Sequence, residues 1–97
     1  GFMIGFLKAD GYEVKSNRES GKGRFDIALI PDKLTGAVII LECKHSQSIQ
    51  QLVRDSNMAA NQIEDKKYIR DFEECGYQKI LGYGISFFKK QCYITKV

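Results

Sequence analysis

Two stretches of the chain are almost wholly apolar: Arg24-Phe25-Asp26-Ile27-Ala28-Leu29-Ile30 and Val38-Ile39-Ile40-Leu41-Glu42-Cys43-Lys44. Runs of this length, rich in Val, Ile and Leu, predict β-strands covered on both faces. The segment between them, Pro31 to Gly36, carries the Pro, Asp and Gly of a loop. Upstream, Phe2 to Ala9 reads as the end of an apolar helix stopped at Asp10-Gly11. Tyr12 to Asn17 alternates apolar and polar, the pattern of a half-exposed strand, and Arg18 to Gly23 reads as a turn. Downstream, Ser48 and Gln51 fit a capping box. From there Ile49, Leu52, Val53, Ser56, Ala59, Ala60 and Ile63 recur at helical spacing. A shorter helix over Tyr68 to Glu74 ends at Gly76. Ile80 to Phe87 and Cys92 to Val97 read as two more strands around a turn at Lys89-Lys90. The glycines at 82 and 84 predict close packing of this strand's backbone against something else. The sum is an α/β fold with a mixed central sheet flanked by helices. The strand from Ile80 follows a helix, so it is placed to pair parallel with the strand from Val38 through a crossover.

Composition narrows this picture only a little. With 97 residues, 43% hydrophobic and 28% charged, the chain is one domain with one small core. It begins abruptly in Gly1-Phe2-Met3-Ile4, without the basic start and cleavage site of a signal peptide. It therefore reads as a segment of a longer protein with its first helix truncated. No apolar run has the length of a membrane span, and no membrane partner is expected. The net charge of +3 suits nucleic acid without arguing for it. Cys43, Cys75 and Cys92 match neither a zinc spacing nor a disulfide framework, so buried free thiols in a reducing cytoplasm are expected.

The chemistry lies in the charges that interrupt the apolar strands. A buried unpaired carboxylate or ammonium costs several kcal/mol, so Asp26, Glu42 and Lys44 need partners. Side chains alternate along a strand, which puts Val38, Ile40, Glu42 and Lys44 on one face and Ile39, Leu41 and Cys43 on the other. If the hairpin pairs Ile30 with Val38, Asp26 lies opposite Glu42 and the apolar residues match in the same register. Two facing carboxylates repel unless a cation or a shared proton intervenes. Mg²⁺, or Mn²⁺ in its place, is the natural occupant, with water and substrate oxygen filling its octahedron. Lys44 beside it would orient or deprotonate water, or stabilise charge on a phosphate. The alternative is a structural ion-pair network at the end of the sheet.

These residues carry a resemblance. Asn17-Arg18-Glu19-Ser20-Gly21-Lys22-Gly23-Arg24-Phe25-Asp26, followed by Ile40-Leu41-Glu42-Cys43-Lys44 and by Tyr83-Gly84-Ile85-Ser86-Phe87, resembles the PD-(D/E)xK nuclease superfamily. More narrowly, it is similar to the nuclease-like C-terminal domain of bacterial predicted AAA-type ATPases. The resemblance covers nearly the whole chain, so residues 1–97 are expected to form one such domain. It implies a restriction-endonuclease-like α-β-β-β-α-β core and an ATPase domain in the same parent chain. It makes Asp26 and Glu42 metal ligands and Lys44 the catalytic lysine, with the backbone carbonyl of Cys43 completing the metal shell. Phe25 stands where the superfamily name has proline. Many DNA-end-processing relatives carry a Gln and a Tyr on the following helix, for which Gln62 and Tyr68 are the candidates here. Their spacing here is wider, and a continuous helix would turn Tyr68 away from Gln62.

Glu19 is a further candidate ligand, or a pairing partner for Arg18 and Arg24. Lys15, Arg18, Lys22, Arg24 and His45 are candidate contacts to a nucleic-acid backbone. The expected activity is metal-dependent hydrolysis of phosphodiester bonds, in DNA and with low sequence specificity. The alternative is a catalytically inactive module of the same fold that binds nucleic acid or protein.

Overall fold

The computed structural model describes residues 11–19 and 23–97, with the side chains of 18 and 19 excepted. The expected helix over residues 2–9 lies outside the described residues. The described elements run in the order β1 (Tyr12–Glu19), β2 (Arg24–Pro31), β3 (Ala37–His45), α1 (Leu52–Asp65), α2 (Tyr68–Glu74), β4 (Lys79–Phe88) and β5 (Gln91–Lys96). A short 3-10 turn, Ile49–Gln51, leads into α1. The strands form one five-stranded sheet in sequence order. β1, β2 and β3 pair antiparallel, β4 pairs parallel with β3 through the helical crossover, and β5 returns antiparallel. This is the mixed sheet expected from the pattern, consistent with a restriction-endonuclease-like fold.

Differences lie at the element ends. β1 continues through Arg18 and Glu19, beyond the strand expected over Tyr12 to Asn17, because both pair with β2 opposite Phe25 and Arg24. The capping box does not form. Ser48 makes no side-chain cap, and the Gln51 amide oxygen accepts instead from the Gln47 backbone N–H at 3.3 Å. The helix begins at Leu52, and its inward face is Leu52, Asp55, Ser56, Ala59, Ala60 and Ile63. Ile49 and Val53 fall off that face and are exposed. Cys75 and Cys92 are exposed too, and only Cys43 is buried.

The α1 side of the sheet holds the core: Val38, Ile40 and Ile63, with Tyr68, Ile69, Phe72, Tyr77 and Ile80 packed around them. Gly84 explains how α1 lies so low on the sheet. A Cβ there would fall 2.2 Å from the Ser56 carbonyl oxygen and 2.3 Å from the Ala60 nitrogen. Ala59, Ala60 and Gly84 together let helix and strand backbones touch. The Ser86 hydroxyl on β4 donates to the Leu52 carbonyl, and Ser56 and Thr95 share a hydroxyl–hydroxyl bond of 2.7 Å. Those bonds satisfy polar groups that the close approach strips of water. They also fix α1 along the same sheet face as Glu42 and Lys44.

Candidate functional site

β2 and β3 pair in the register that sets Asp26 opposite Glu42 and Arg24 opposite Lys44. Both carboxylates are buried, Asp26 at 6% and Glu42 at 1% exposure. They face the helices, because one-residue alternation puts them on the side of Val38 and Ile40. Two buried carboxylates in that position need a cation, and the chain supplies one. The Lys66 ammonium lies 3.1 Å from Glu42 Oε1 and 3.5 Å from Asp26 Oδ2. The Tyr68 hydroxyl donates to the same Asp26 oxygen.

Lys66 and Tyr68 reach the site because the helix does not continue. α1 stops at Asp65, Lys67 takes a left-handed conformation with φ 58°, and α2 starts at Tyr68. On a continuous helix Tyr68 would point elsewhere, as its spacing from Gln62 suggested. The break re-aims it onto Asp26. Gln62 is half-buried, and its side chain makes no hydrogen bond among the described residues. Burial, then the bond to Asp26, pushes the Tyr68 phenol up to about 12. The site thus holds a neutral phenol and an ammonium against two carboxylates.

Lys44 does not bridge Asp26 and Glu42. Its ammonium pairs instead with Asp55 Oδ1 on α1 at 3.3 Å. Asp55 is 1% exposed, and its other oxygen accepts a 2.7 Å bond from the Ser46 hydroxyl. Burial pushes the Asp55 carboxyl up. The bonds from Ser46 and Lys44, with the charges of Lys44 and Arg54, outweigh burial and hold it below the usual carboxylate range. An ion-pair network therefore exists at this end of the sheet, but its partners are not the expected ones.

Asp55, Ser46 and Lys66 were not singled out from the sequence. Asp55 carried a readable signal, lying three residues after Leu52 and four before Ala59 on the inward phase. Lys66 carried none, since its place depends on the helix break. Of the other candidates, Lys15 is exposed and lines a cavity of about 180 Å³ beside Asp26, Asn17, Tyr68 and Phe72. Arg24 is half-buried at the strand start. His45 is exposed and meets the Phe87 ring edge-on at 5.3 Å. Cys43 is buried, and burial, followed by the charges of Glu42 and Asp26, pushes its thiol up to about 11. The side chains of Arg18 and Glu19, and Lys22 as a whole, lie outside the described residues.

The donor set fits a hard divalent cation. It offers two facing carboxylates, and Asp26 Oδ1 is buried with no hydrogen-bond partner among the described residues. An ammonium is already drawn to the pair. Among the described residues no group of three or more acidic, His or Cys side chains gathers to hold a metal. Of the described residues, Asp26 and Glu42 would anchor such an ion, with water, a backbone carbonyl or substrate able to fill further positions of its shell. No helix among the described residues is long and apolar enough to cross a membrane.

The model of the PD-(D/E)XK nuclease superfamily matches residues 1–97. No curated protein and no solved structure matches the chain.

Proposed function

The chain belongs to the PD-(D/E)XK nuclease superfamily, and from that premise we propose that it is a Mg²⁺-dependent nuclease domain acting on DNA with low sequence specificity. The observation that carries this reading is the buried pair Asp26 and Glu42, facing each other across the β2–β3 hairpin, with Asp26 Oδ1 buried and without a hydrogen-bond partner among the described residues. In this reading Asp26 and Glu42 hold the metal, and the Cys43 carbonyl contributes a third oxygen. A divalent cation there supplies positive charge to a phosphoryl oxygen and acidity to an attacking water. Lys44 places its ammonium on the same face, two residues beyond Glu42, where it meets negative charge building on the phosphate. Tyr68 holds Asp26 by one oxygen and leaves the other for the ion. Lys15, exposed and lining the cavity beside Asp26, takes a backbone phosphate, a contact that carries no sequence information. An ATPase domain in the parent chain is the partner this family context suggests.

The test is cleavage of plasmid and linear DNA with Mg²⁺ or Mn²⁺. Wild type should cut, and Lys44→Ala should be slower by roughly 100-fold or more. Equal behaviour of the two defeats the reading.

One observation favours a second reading. Lys66 already neutralises the carboxylate pair, as it would in a catalytically silent module that binds nucleic acid. Calorimetric titration with Mn²⁺ separates the two: no binding, with DNA affinity intact, supports the module.

A further inference from the structure

We infer that Asp55 is the positioning residue for Lys44, an inference that rests on the nuclease reading for its link to rate. Lys44 is a flexible ammonium on a four-carbon stem, and nothing on β3 itself fixes where that charge sits. The helix does. Asp55 stands in the inward phase of α1 where an apolar residue would otherwise pack, at 1% exposure. One oxygen takes the Lys44 ammonium at 3.3 Å and the other takes the Ser46 hydroxyl at 2.7 Å. Ser46 follows β3 directly, and its backbone N–H donates to the Phe87 carbonyl of β4 at 2.8 Å. The carboxylate is therefore tied to β3 and β4 as well as to its own helix. Its position is set by the sheet, and it transmits that position to Lys44.

The arrangement has a reason in the packing. A lone buried Asp would be costly, and Arg54 at 3.5 Å is mostly solvent-exposed. Lys44, by contrast, is about four-fifths covered, with 22% of its side chain exposed. Two covered charges and one buried hydroxyl satisfy one another, and Lys44 stands on the same sheet face as Glu42. Misplacing a catalytic charge by about 1 Å can cost on the order of 100-fold in rate. A fixed Asp55 is thus worth the burial of a carboxylate.

The experiment uses Asp55→Asn, which keeps shape and the Ser46 bond but removes the charge. It is compared with Asp55→Glu, Lys44→Ala and the double variant Asp55→Asn/Lys44→Ala. Two readouts are taken on folded protein: the order parameter of the Lys44 side chain by NMR, and the single-turnover cleavage rate with Mn²⁺. We expect Asp55→Asn to loosen Lys44 and slow cleavage roughly 10- to 100-fold, with Mn²⁺ affinity unchanged and Asp55→Glu partly restoring both. In the Lys44→Ala background Asp55→Asn should cost nothing further. If Asp55→Asn does not fold, Ser46→Ala loosens the same carboxylate and should give a smaller loss of the same kind. A Lys44 that stays ordered in Asp55→Asn, or a full additional loss in the double variant, overturns the inference. If wild type does not cut, the nuclease reading fails, and the order parameter alone decides whether Asp55 positions Lys44.

Discussion

Lys66 is the residue on which the described site balances. It offsets the repulsion of two buried carboxylates, so removing its charge must act in two directions. Lys66→Met should destabilise the metal-free protein by roughly 1–3 kcal/mol, less than a fully buried pair would cost, because 23% of the lysine side chain stays exposed. The same change should tighten Mn²⁺ by about 10-fold, since the ion no longer competes with an ammonium. Thermal unfolding and calorimetry measure the two effects, and a loss of Mn²⁺ affinity would show that Lys66 supports the ion instead. Two neighbours make the site sensitive to pH at opposite ends. Asp55, held low, stabilises the fold above its ordinary value of 3.8, and that contribution is lost as pH falls through the lower folded value. The stability gap between wild type and Asp55→Asn should therefore close as the solution is acidified below about 4. Tyr68, raised to about 12, favours the fold less and less as pH climbs from its ordinary value of 10.0. Tyr68→Phe should flatten that alkaline slope in denaturant titrations.

At the scale of elements, the decisive contact is backbone on backbone. Gly84 meets Ser56 and Ala60 main-chain atoms, which cannot swing aside as a side chain could. Gly84→Ala should lift α1 from β4 and cost roughly 1–3 kcal/mol or more, read as a lower urea midpoint. It should also slow any cleavage, because Asp55 and Lys66 move with the helix. This scale shows what the sequence could and could not convey. The β2–β3 register was legible, because a one-residue slip would have turned Asp26 away from Glu42 and the apolar residues out of the core together. The parallel β4 was legible from the helix before it, and the close approach from its glycines. Ile49 and Val53 lie off the inward face of α1, Ile49 because it precedes the helix and Val53 because that face runs through Leu52, Asp55, Ser56, Ala59, Ala60 and Ile63. Asp55 shares that spacing, but its charge argues against burial unless Lys44 and Ser46 stand beside it. Lys66 could not be placed, and Tyr68, a candidate only by resemblance, could not be aimed at Asp26, since a left-handed Lys67 between two helices has no glycine to announce it.

Across the whole molecule, net charge of +3 is too small to hold DNA by attraction at a distance, so binding should depend on a few close phosphate contacts. Lys15→Gln should weaken DNA binding uniformly across sequences and reduce the salt slope by about 0.9. Fluorescence anisotropy at several salt concentrations reads both. The crossover between β3 and β4 has a further effect, on the order in which the molecule assembles. Only a few residues separate β1 from β2 and β2 from β3, so these strands can zip locally, whereas β4 must wait for the long connection through α1 and α2 to close. The hairpin is thus laid down with Asp26 facing Glu42 while both are still hydrated, and Lys66 and Asp55 arrive with the later closure. Interactions absent from the folding transition state show up in the rate of unfolding. Chevron kinetics of Lys66→Met and Gly84→Ala should therefore show folding limbs close to wild type and unfolding limbs shifted upward, so that the site acts as the latch on the native state's lifetime.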